Sequence, residues 1–355
     1  MNKNHSDIKI FTSKAHARIN IIGGHTDYNQ GCLLSVLTKE FVSVTLITNQ
    51  KAISNQVIAR SSAFGAVISY DLGKEDVGGN WGDYIKGVTK ILRNENFNLS
   101  GFEVKIDSSI PMNLGFASGV ALMVAFIRTL ISAFKLDISD FTIAKLISII
   151  KNEFLVMPVG VTDPLVISVN RDTDSVLFID SNSLNFEQIN FPNNLDILTI
   201  TIGGTYSKRG EINICRRREC EEVVARLTMK SFCELHIEKL KEYESILNNR
   251  ILFKRVKHVL TENNRVLQFK NAFLSGDYKL AGELMYLSHM SLKDDYEVST
   301  AEIDQIIELA KKDANVFGAR LATDSGLAGA IVLLIKKGEK EKVYKNLMGK
   351  NLKGN

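Results

Sequence analysis

Cysteine and proline are scarce in this chain, and each shortage excludes a class of architecture. The 355 residues include 4 cysteines, without a Cys-x-x-Cys pair and without histidines at zinc-ligand spacing. Neither a disulfide framework nor a zinc knuckle is therefore expected, and the composition suits a reducing, cytoplasmic compartment. Only 4 prolines occur, and no Pro/Ser-rich stretch or internal repeat marks a linker, so a domain boundary must be placed from changes in pattern.

Long hydrophobic runs are missing as well. The two longest apolar segments lie near 119–134 and 326–335, and they are broken by Arg128 or too short to cross a bilayer. The chain opens with Met-Asn-Lys-Asn-His-Ser-Asp, and no apolar stretch follows. We therefore expect neither a signal peptide nor a membrane helix, and no membrane partner.

Neither sign of charge dominates the sequence. The chain carries 44 lysines and arginines against 40 aspartates and glutamates, a net charge of +4, and the two signs are interleaved. The densest basic cluster, at 216–218, is followed at once by an acidic one at 219–222, which predicts a charged, solvated helix start. Nucleic acid is therefore not an expected partner.

Short β-branched runs alternate with turn signals through the first hundred residues, which predicts a sheet-rich opening. The strands predicted there span 8–11, 17–22, 41–48, 67–70 and 102–106. The helices predicted after Pro111 span 118–134 and 143–154, and the strands that follow lie near 165–179 and 195–202.

Charged and leucine-rich segments at helical spacing dominate from about Gly210 onward and predict a more helical second domain. The segment 316–335 returns to small and β-branched residues, so the chain is expected to end with a strand hairpin packed on helices. This mixture predicts an α+β protein of two domains, 1–205 and 206–355. A hydrophobic content of 45% is enough for two packed cores.

The sharpest local motif lies at 18–29 and reads Arg-Ile-Asn-Ile-Ile-Gly-Gly-His-Thr-Asp-Tyr-Asn. It is a strand that runs into a Gly-Gly turn ending in clustered polar groups, and such turns present side chains to a cleft. His25 and Asp27 would hydrogen-bond neighbouring hydroxyls of a polyol. The alternative is an Asx turn in which Asp27 caps the local backbone.

This motif resembles the galactokinase signature Gly-Arg-Val-Asn-Leu-Ile-Gly-Glu-His-Thr-Asp-Tyr-Asn at nearly every position. Residues 211–222 resemble the family's Arg-Arg-x-x-Cys-Glu-Glu helix, and 282–298 resemble its C-terminal domain. Residues 159–163 resemble its Cys-Gly-Ile-Met-Asp loop. The matches keep the family's order over most of the chain, which is therefore identified as a divergent member of the galactokinase branch of the GHMP small-molecule kinases.

The resemblance implies an α+β GHMP kinase fold. An N-terminal ribosomal-protein-S5-like domain carries the sugar and nucleotide site, a C-terminal ferredoxin-like domain follows, and the active site lies in the cleft between them. The implied reaction is ATP-dependent phosphorylation of the anomeric hydroxyl of galactose or a related sugar. A monomer or weak homodimer is expected.

By the resemblance, Asp163 matches the catalytic carboxylate, which takes a proton from the anomeric hydroxyl or orients it, and Arg18 matches its cationic partner. An arginine beside an aspartate favours the ionised carboxylate and can stabilise charge on the transferring phosphoryl group. A plain buried ion pair is the alternative. His25, Asp27 and the backbone of Gly160 match positions that hold the sugar hydroxyls.

Two positions depart from the family's sugar site. Gly24 replaces a glutamate that reads a sugar hydroxyl, and Asn213 replaces a tyrosine that lines the sugar pocket. Both changes remove reach or bulk, so they are expected to change which sugar is bound.

The phosphate loop also departs from the family's Pro-x-Gly-x-Gly-Leu-Ser-Ser-Ser-Ala, which opens a helix whose N–H groups cradle the nucleotide phosphates. Residues 111–120 keep Gly115 and Ser118 of this pattern. Trp81 is placed with these nucleotide-binding residues. ATP is therefore the expected phosphoryl donor.

The family's two Mg²⁺ ligands, a serine and a glutamate, are expected at Gly119 and Lys151. With both ligands missing, a family-style Mg²⁺ site is not expected. An ammonium at Lys151 would partly replace the metal's charge against phosphate oxygens, and the alternative is an exposed lysine on a helix. In the glycine-rich motif 318–329, Asp324 places a carboxylate where bare backbone is expected, and it would repel a triphosphate.

Three functions stay open on this reasoning: a sugar 1-kinase, a sugar-binding sensor or regulator that has lost phosphoryl transfer, and an enzyme repurposed for another polar small molecule. The changes at Gly119, Lys151 and Asp324 favour the second, and those at Gly24 and Asn213 favour the third. ATP binding that is enlarged by sugar would single out the kinase.

Overall fold

Two long strands open the fold, with the Gly-Gly motif between them. The computed structural model of the protein describes residues 8–49, 54–111, 114–157, 160–202, 209–322 and 329–351. Within these ranges β1 runs over Ile8–Ile22 and β2 over Cys32–Asn49, and both are rich in β-branched side chains. The turn from Gly23 to Gly31 therefore joins two strands directly.

Helices and strands alternate up to residue 202, and helices predominate after it. Further strands are β3 Gln56–Ser61, β4 Ile68–Asp71, β5 Phe102–Ser108, β6 Ser175–Asp180, β7 Phe186–Asn190, β8 Leu195–Ile202, β9 Val316–Leu321 and β10 Gly329–Lys336. The helices are α1 Gly82–Asn94, α2 Ser118–Phe134, α3 Asp140–Ile149, α4 Thr162–Val169, α5 Arg209–Arg226, α6 Leu240–Leu247, α7 Arg250–Ser275, α8 Tyr278–Asp294, α9 Ala301–Ala310 and α10 Lys340–Asn351. A π turn, Ile150–Phe154, extends α3.

The chain folds into two units that interleave along the sequence. Unit 1 comprises Met1–Arg18, Leu37–Pro111 and Phe116–Thr173, and unit 2 comprises Ile19–Val36, Met112–Gly115 and Asp174–Asn355. The division falls within β1 and within β2, so each of these strands contributes to both units. These limits are not those of the linear boundary at 205/206, which remains a prediction about the two family domains.

Unit 1 has the strand order β4-β3-β5-β2, in which β3 and β5 are parallel and the other neighbours are antiparallel. Along β2, buried Val42, Val44 and Leu46 alternate with half-buried residues, as expected where one face of a sheet is covered. Helix α2 is apolar on nearly all sides, and its Phe126 ring lies 5.8 Å from the Phe102 ring of β5. An apolar core thus anchors α2.

Unit 2 contains the antiparallel sheet β8-β10-β9 and the pairing of Cys32–Val36 with β6. Helix α8 packs on β9 backbone against backbone. A Cβ added to Gly282 would lie 1.8 Å from the Phe317 carbonyl oxygen, and one added to Gly318 would lie 2.5 Å from the Gly282 Cα atom. Only glycine fits at these two positions, and α7 packs along the α8 helix that they seat.

The predicted bounds of α2 and β8 are confirmed, as is the hairpin formed by β9 and β10. The strand predicted near 165–179 is wrong over its first half, where α4 is helical, because a short apolar run does not distinguish a buried helix from a strand. Helix α1 was not predicted, since Gly82 and Gly87 weaken its helical signal. The prediction that the hairpin ends the chain is also wrong, because α10 follows it.

Within the described ranges, no helix combines the length and the apolar character needed to cross a membrane.

Candidate active site

A bidentate ion pair joins β1 and α4 in unit 1. Arg18 Nε donates to Asp163 Oδ1 at 2.7 Å, and Nη2 donates to Oδ2 at 2.6 Å. The side chain of Arg18 is 5% exposed and that of Asp163 is 28% exposed. Asp163 stands in the first turn of α4, where the helix dipole favours a negative charge. Two parallel charge-assisted hydrogen bonds fix this carboxylate in one orientation.

The charge state of Asp163 follows from its neighbours. Burial by itself would raise the pKa of Asp163, but the charge and hydrogen bonds of Arg18, together with the charge of Lys151, hold it below its ordinary value. The carboxylate is therefore ionised near neutral pH. Such a group is a weak base, and it holds a hydroxyl donor in place better than it removes the proton outright.

Lys151 lies in the π turn that extends α3, and its carbonyl oxygen accepts the Met157 N–H at 2.7 Å. The side chain is half-buried and within electrostatic reach of Asp163 and Arg18. The alternative of an exposed lysine is therefore wrong. Burial lowers the pKa of Lys151, Asp163 opposes this shift and Arg18 adds to it. Arg18, Lys151 and Asp163 form what we call the charge cluster.

The phosphate loop leads into α2 through residues with left-handed backbones. Gly115 has φ +82°, and Ala117 has φ +57° as the residue that precedes the helix. Alanine has no side-chain acceptor to cap the first N–H groups of α2, which include those of Ser118 and Gly119. An uncapped helix start of this kind suits an anion such as phosphate.

Two aromatic residues stand at the start of α1: Trp81, itself a predicted nucleotide position, and Tyr84, which lies beside Gly119. The Trp81 ring, directly before α1, stacks on Phe64 with centroids 5.9 Å apart and an interplanar angle of 10°. The Tyr84 ring occupies the space beside Gly119, where an added Cβ would lie 2.8 Å from the ring. No side chain fits at Gly119 unless Tyr84 moves.

In unit 2 the Gly-Gly turn is held by one helix. The Glu262 carboxylate on α7 accepts the N–H groups of Gly23 and Gly24 at 3.1 and 3.2 Å on a single oxygen. The same oxygen accepts the Ser288 hydroxyl at 2.6 Å, and the other accepts Arg265 Nε at 2.8 Å. Burial alone would raise the pKa of Glu262, but nearby positive charges, Arg265 first, lower it to about 2.

Two neighbours of Glu262 on α7 hold other backbone groups of the turn. His258 Nε2 donates to the Gly24 carbonyl oxygen at 3.0 Å, and Asn263 Oδ1 accepts the Cys32 N–H at 3.0 Å. Burial lowers the pKa of His258 from 6.5 to about 4, which keeps the ring neutral. We call His258, Glu262 and Asn263 the α7 cluster.

The polar side chains of the turn face different surroundings. His25 has φ +60°, is buried, and pairs through Nδ1 with the Tyr28 hydroxyl at 2.9 Å. The Tyr28 hydroxyl in turn lies 2.7 Å from that of Tyr296. Asp27 is half-buried at the start of a 3₁₀ turn. On α5, Asn213 has a buried Oδ1 atom that accepts no hydrogen bond from the part of the chain described.

Gly24 does not face open space. A Cβ on Gly24 would lie 2.5 Å from Arg320 Nη2, and Arg320 itself is buried with Nη1 donating to the carbonyl oxygens of Asn20 and Ile21. At the position where the resemblance places a glutamate, this chain therefore has a glycine that packs closely against the Arg320 guanidinium.

The charge cluster lies in unit 1, together with Ser118, Gly119, Trp81 and Gly160, which stands two residues before α4. Gly24, His25, Asp27, Asn213 and Gly115 lie in unit 2. Val159 and Asp324, to which the sequence also drew attention, lie outside the described residues.

Family models match this chain in three segments, and whole proteins match it over nearly its whole length. Residues 3–45 match the galactokinase galactose-binding signature, 83–170 the GHMP kinases N terminal domain, and 269–354 the GHMP kinases C terminal. A galactokinase of Thermotoga neapolitana is 32% identical over 338 residues, which cover 94% of this chain and 92% of the relative. The chain belongs to the galactokinase family.

Solved structures agree with the family assignment. Lactococcus lactis galactokinase, crystallised with galactose, has a TM-score of 0.88 at 27% identity, covering 96% of this chain and 91% of that one. Methanococcus jannaschii mevalonate kinase shares the fold, with a TM-score of 0.63 at 18% identity, covering 98% and 96% of the two chains. The predicted α+β GHMP kinase fold is confirmed.

Within the described residues, the two positions at which the family's ligands are expected do not fit a Mg²⁺ held by protein side chains. The Tyr84 ring fills the space in which a ligand side chain at position 119 would stand, and Lys151 places a cation at the second position. Magnesium takes oxygen ligands in a near-ideal octahedron, and neither group supplies one.

Reasoning from the sequence missed the α7 cluster and Tyr84. The spacing of His258 and Glu262, four residues apart on an amphipathic helix, is a signal for a polar pair on one face, but α7 was not recognised as a helix. The prediction of a charged, solvated helix start at 216–218 is wrong for Arg216 and Arg217, while Arg218 is exposed as expected. Arg216 Nε donates to the Tyr296 carbonyl oxygen at 2.7 Å, and Arg217 lies 4.9 Å from the Tyr28 ring centre.

Proposed function

We propose that this chain transfers the γ-phosphoryl group of ATP to the anomeric hydroxyl of galactose or a closely related sugar. The observation that carries the proposal is the bidentate pair of Arg18 and Asp163, which fixes an ionised carboxylate beside cationic groups. The galactokinase relatives and the galactose-binding signature at 3–45 support the choice of a sugar.

In the proposed reaction the anomeric oxygen bonds to the γ-phosphorus, and the bond to the β–γ bridging oxygen breaks. ADP leaves with that electron pair. Asp163 orients the hydroxyl and accepts its proton late in the transfer, because its lowered pKa makes early proton removal unfavourable. Arg18 balances the carboxylate and stabilises charge on the equatorial phosphoryl oxygens.

The sugar is proposed to bind at Asp27, His25 and the Gly160 backbone. The buried Oδ1 atom of Asn213, which finds no donor among the residues that the structure describes, supports a polar ligand beside α5, because a buried acceptor without a donor is unfavourable. Gly24 packs against Arg320 and contributes backbone alone. These changes at Gly24 and Asn213 are compatible with a sugar that differs from galactose in the parts that the family's glutamate and tyrosine contact.

The nucleotide is proposed to bind at the start of α2, with its phosphates on the N–H groups of Ser118 and Gly119 and on the Gly115 backbone. The uncapped helix start supports this placement. The stacked rings of Trp81 and Phe64 are proposed to lie beside the base. A monomer or weak homodimer working in the cytoplasm remains our proposal for the assembly and its location.

Turnover of galactose with ATP tests the proposal, by ADP release in a coupled assay and by ³¹P detection of an anomeric sugar phosphate. We expect Asp163→Asn to lower kcat by about 10²-fold or more. Asp140→Asn is the matched control, since Asp140 also pairs with an arginine, the largely exposed Arg171, at 2.6 Å. Its activity should match that of the wild type.

Thermal unfolding with ligands separates the remaining functions. A midpoint shift with ATP that grows when sugar is added would support the kinase, because ligand binding to the native state raises the midpoint. A shift with sugar alone, with no turnover and no shift with ATP, would contradict the kinase and favour a sugar-binding sensor. No response to either ligand would point to another small-molecule substrate.

A further inference from the structure

One face of α1 contacts Gly119 and the ends of the π turn that carries Lys151. Tyr84 and Gly87 are three residues apart on this helix and so lie on the same side. The Tyr84 ring lies against Gly119. A Cβ on Gly87 would lie 2.7 Å from Ile150 and 2.8 Å from Phe154, the two ends of the π turn. Helix α1 thus seats the π turn that carries Lys151.

The π turn and the residues after it have uncommon backbone conformations. A π turn is rare and is frequent at functional sites. Val156 follows it with φ +52° and is 77% exposed, although a β-branched residue rarely adopts positive φ. Strained residues persist where the surrounding structure holds them, and they cluster at active sites and ligand clamps. The backbone conformation of the segment that carries Lys151 is therefore maintained against a local cost.

The charge cluster contains two cations and one anion. Arg18 satisfies both oxygens of Asp163, so the carboxylate is neutralised without Lys151. The ammonium of Lys151 is therefore an excess positive charge beside this pair. The side chain of Lys151 is half-buried. An excess cation in a partly desolvated site attracts an anion, and a lysine is a common point-charge ligand of phosphate.

We propose that the ammonium of Lys151 binds the phosphate groups of the nucleotide and supplies there the positive charge that a metal ion held by protein side chains would supply. This inference rests on the proposed kinase function and extends it. The chain then binds a nucleotide polyphosphate through its own cation. A metal ion that arrives in complex with the nucleotide is part of the substrate.

Titration calorimetry with a non-hydrolysable ATP analogue, in EDTA and in Mg²⁺, tests this inference. We expect wild-type Kd values in the two conditions to agree within about threefold. Lys151→Met should weaken binding in EDTA by about tenfold or more. Lys145→Met is the matched control, because it removes the same charge from an exposed position on α3 and should leave Kd unchanged.

The outcomes separate this inference from the proposed function. Wild-type binding that requires Mg²⁺, or equal Kd values for Lys151→Met and Lys145→Met, would overturn the role of Lys151 and leave the kinase proposal standing. A folded wild type that binds the analogue under neither condition would overturn both.

A second variant keeps the test decisive if Lys151→Met fails to fold. Asp163 from α4 and Arg18 from β1 are the charged groups that act on the Lys151 ammonium, whose pKa is lowered mainly by burial. Metal-free affinity of the wild type should therefore decline as alkaline pH removes the ammonium proton. Lys151→Arg should retain its affinity there, since a guanidinium stays protonated. An equal alkaline decline in both proteins would overturn the assignment.

Discussion

The Gly-Gly turn of unit 2 and the charge cluster of unit 1 are held by different kinds of contact. The turn is held through its backbone, by N–H and carbonyl groups that pair with the buried α7 cluster. The charge cluster is held through side chains: Arg18 pairs with Asp163, and Lys151 stands on a π turn that is seated against α1 at Gly87.

This difference bears on which residues can change. The contacts that hold the turn use its backbone and not its side chains, but a side chain at Gly24 would lie 2.5 Å from Arg320 Nη2, so a change there requires Arg320 to move. The region of Gly119 and Lys151, where the chain departs from the family's phosphate site, depends on side-chain volume and charge. Each lost ligand there is accompanied by a compensating feature. Tyr84 fills the space beside Gly119, and Lys151 adds charge beside Asp163.

The largest expected effect is on the buried carboxylate of the α7 cluster. Glu262 has a fully buried side chain and holds both glycine N–H groups, so Glu262→Ala leaves Arg265 and the turn without their acceptor. We expect a loss of about 3–5 kcal/mol in the free energy of unfolding, measured by urea titration.

Glu222→Ala provides the comparison for Glu262. Glu222 pairs with Arg226 at 2.6 Å, but its side chain is 48% exposed, so its loss should cost about 0.5 kcal/mol or less. If the two variants lost similar stability, the turn would not depend on the α7 cluster.

The next effect is a pH dependence carried by His258. Burial lowers its pKa to about 4, so the native state resists a proton that the unfolded chain binds near pH 6.5. The stability due to the neutral ring is complete above pH 6.5 and is lost as pH falls toward 4, by about 3 kcal/mol at most. His258→Gln should flatten this part of the curve of unfolding free energy against pH.

His289→Gln is the control for that curve. His289 has a similar pKa of about 4, also caused by burial, but it pairs with Asp304. Both variants should reduce the acid sensitivity of stability, while only His258→Gln should also weaken sugar binding, since only His258 holds the Gly24 carbonyl. An unchanged pH slope in His258→Gln would contradict the argument.

The sequence predicted the parts of the site that are local in the chain. Helix α2 follows from a continuous apolar run, and Arg18 and Asp163 follow from motifs that match the family text. The α7 residues that hold the Gly-Gly turn could not be predicted in this way, because Glu262 lies 238 positions from Gly24 and only the fold brings them together. Likewise, no spacing rule pairs Tyr84 with Gly119, since their contact depends on how α1 packs against α2.

The smallest expected effect tests whether Tyr84 and Gly119 compensate each other. Alanine normally stabilises a helix relative to glycine by about 0.5–1 kcal/mol. In Gly119→Ala the new Cβ would lie 2.8 Å from the Tyr84 ring, so we expect a net loss of about 1 kcal/mol instead. In a Tyr84→Ala background the ring is absent, and the same substitution should become stabilising.

The double-mutant cycle isolates this pair, and we expect a coupling of about 1.5 kcal/mol between the two sites. Gly349→Ala in α10 is the matched control, because an added Cβ there has no described atom within 4 Å and should only stabilise the helix. Additive effects at Tyr84 and Gly119 would mean that the ring moves aside freely. Position 119 would then have room for a side chain, and Tyr84 would not be what keeps a ligand residue out of it.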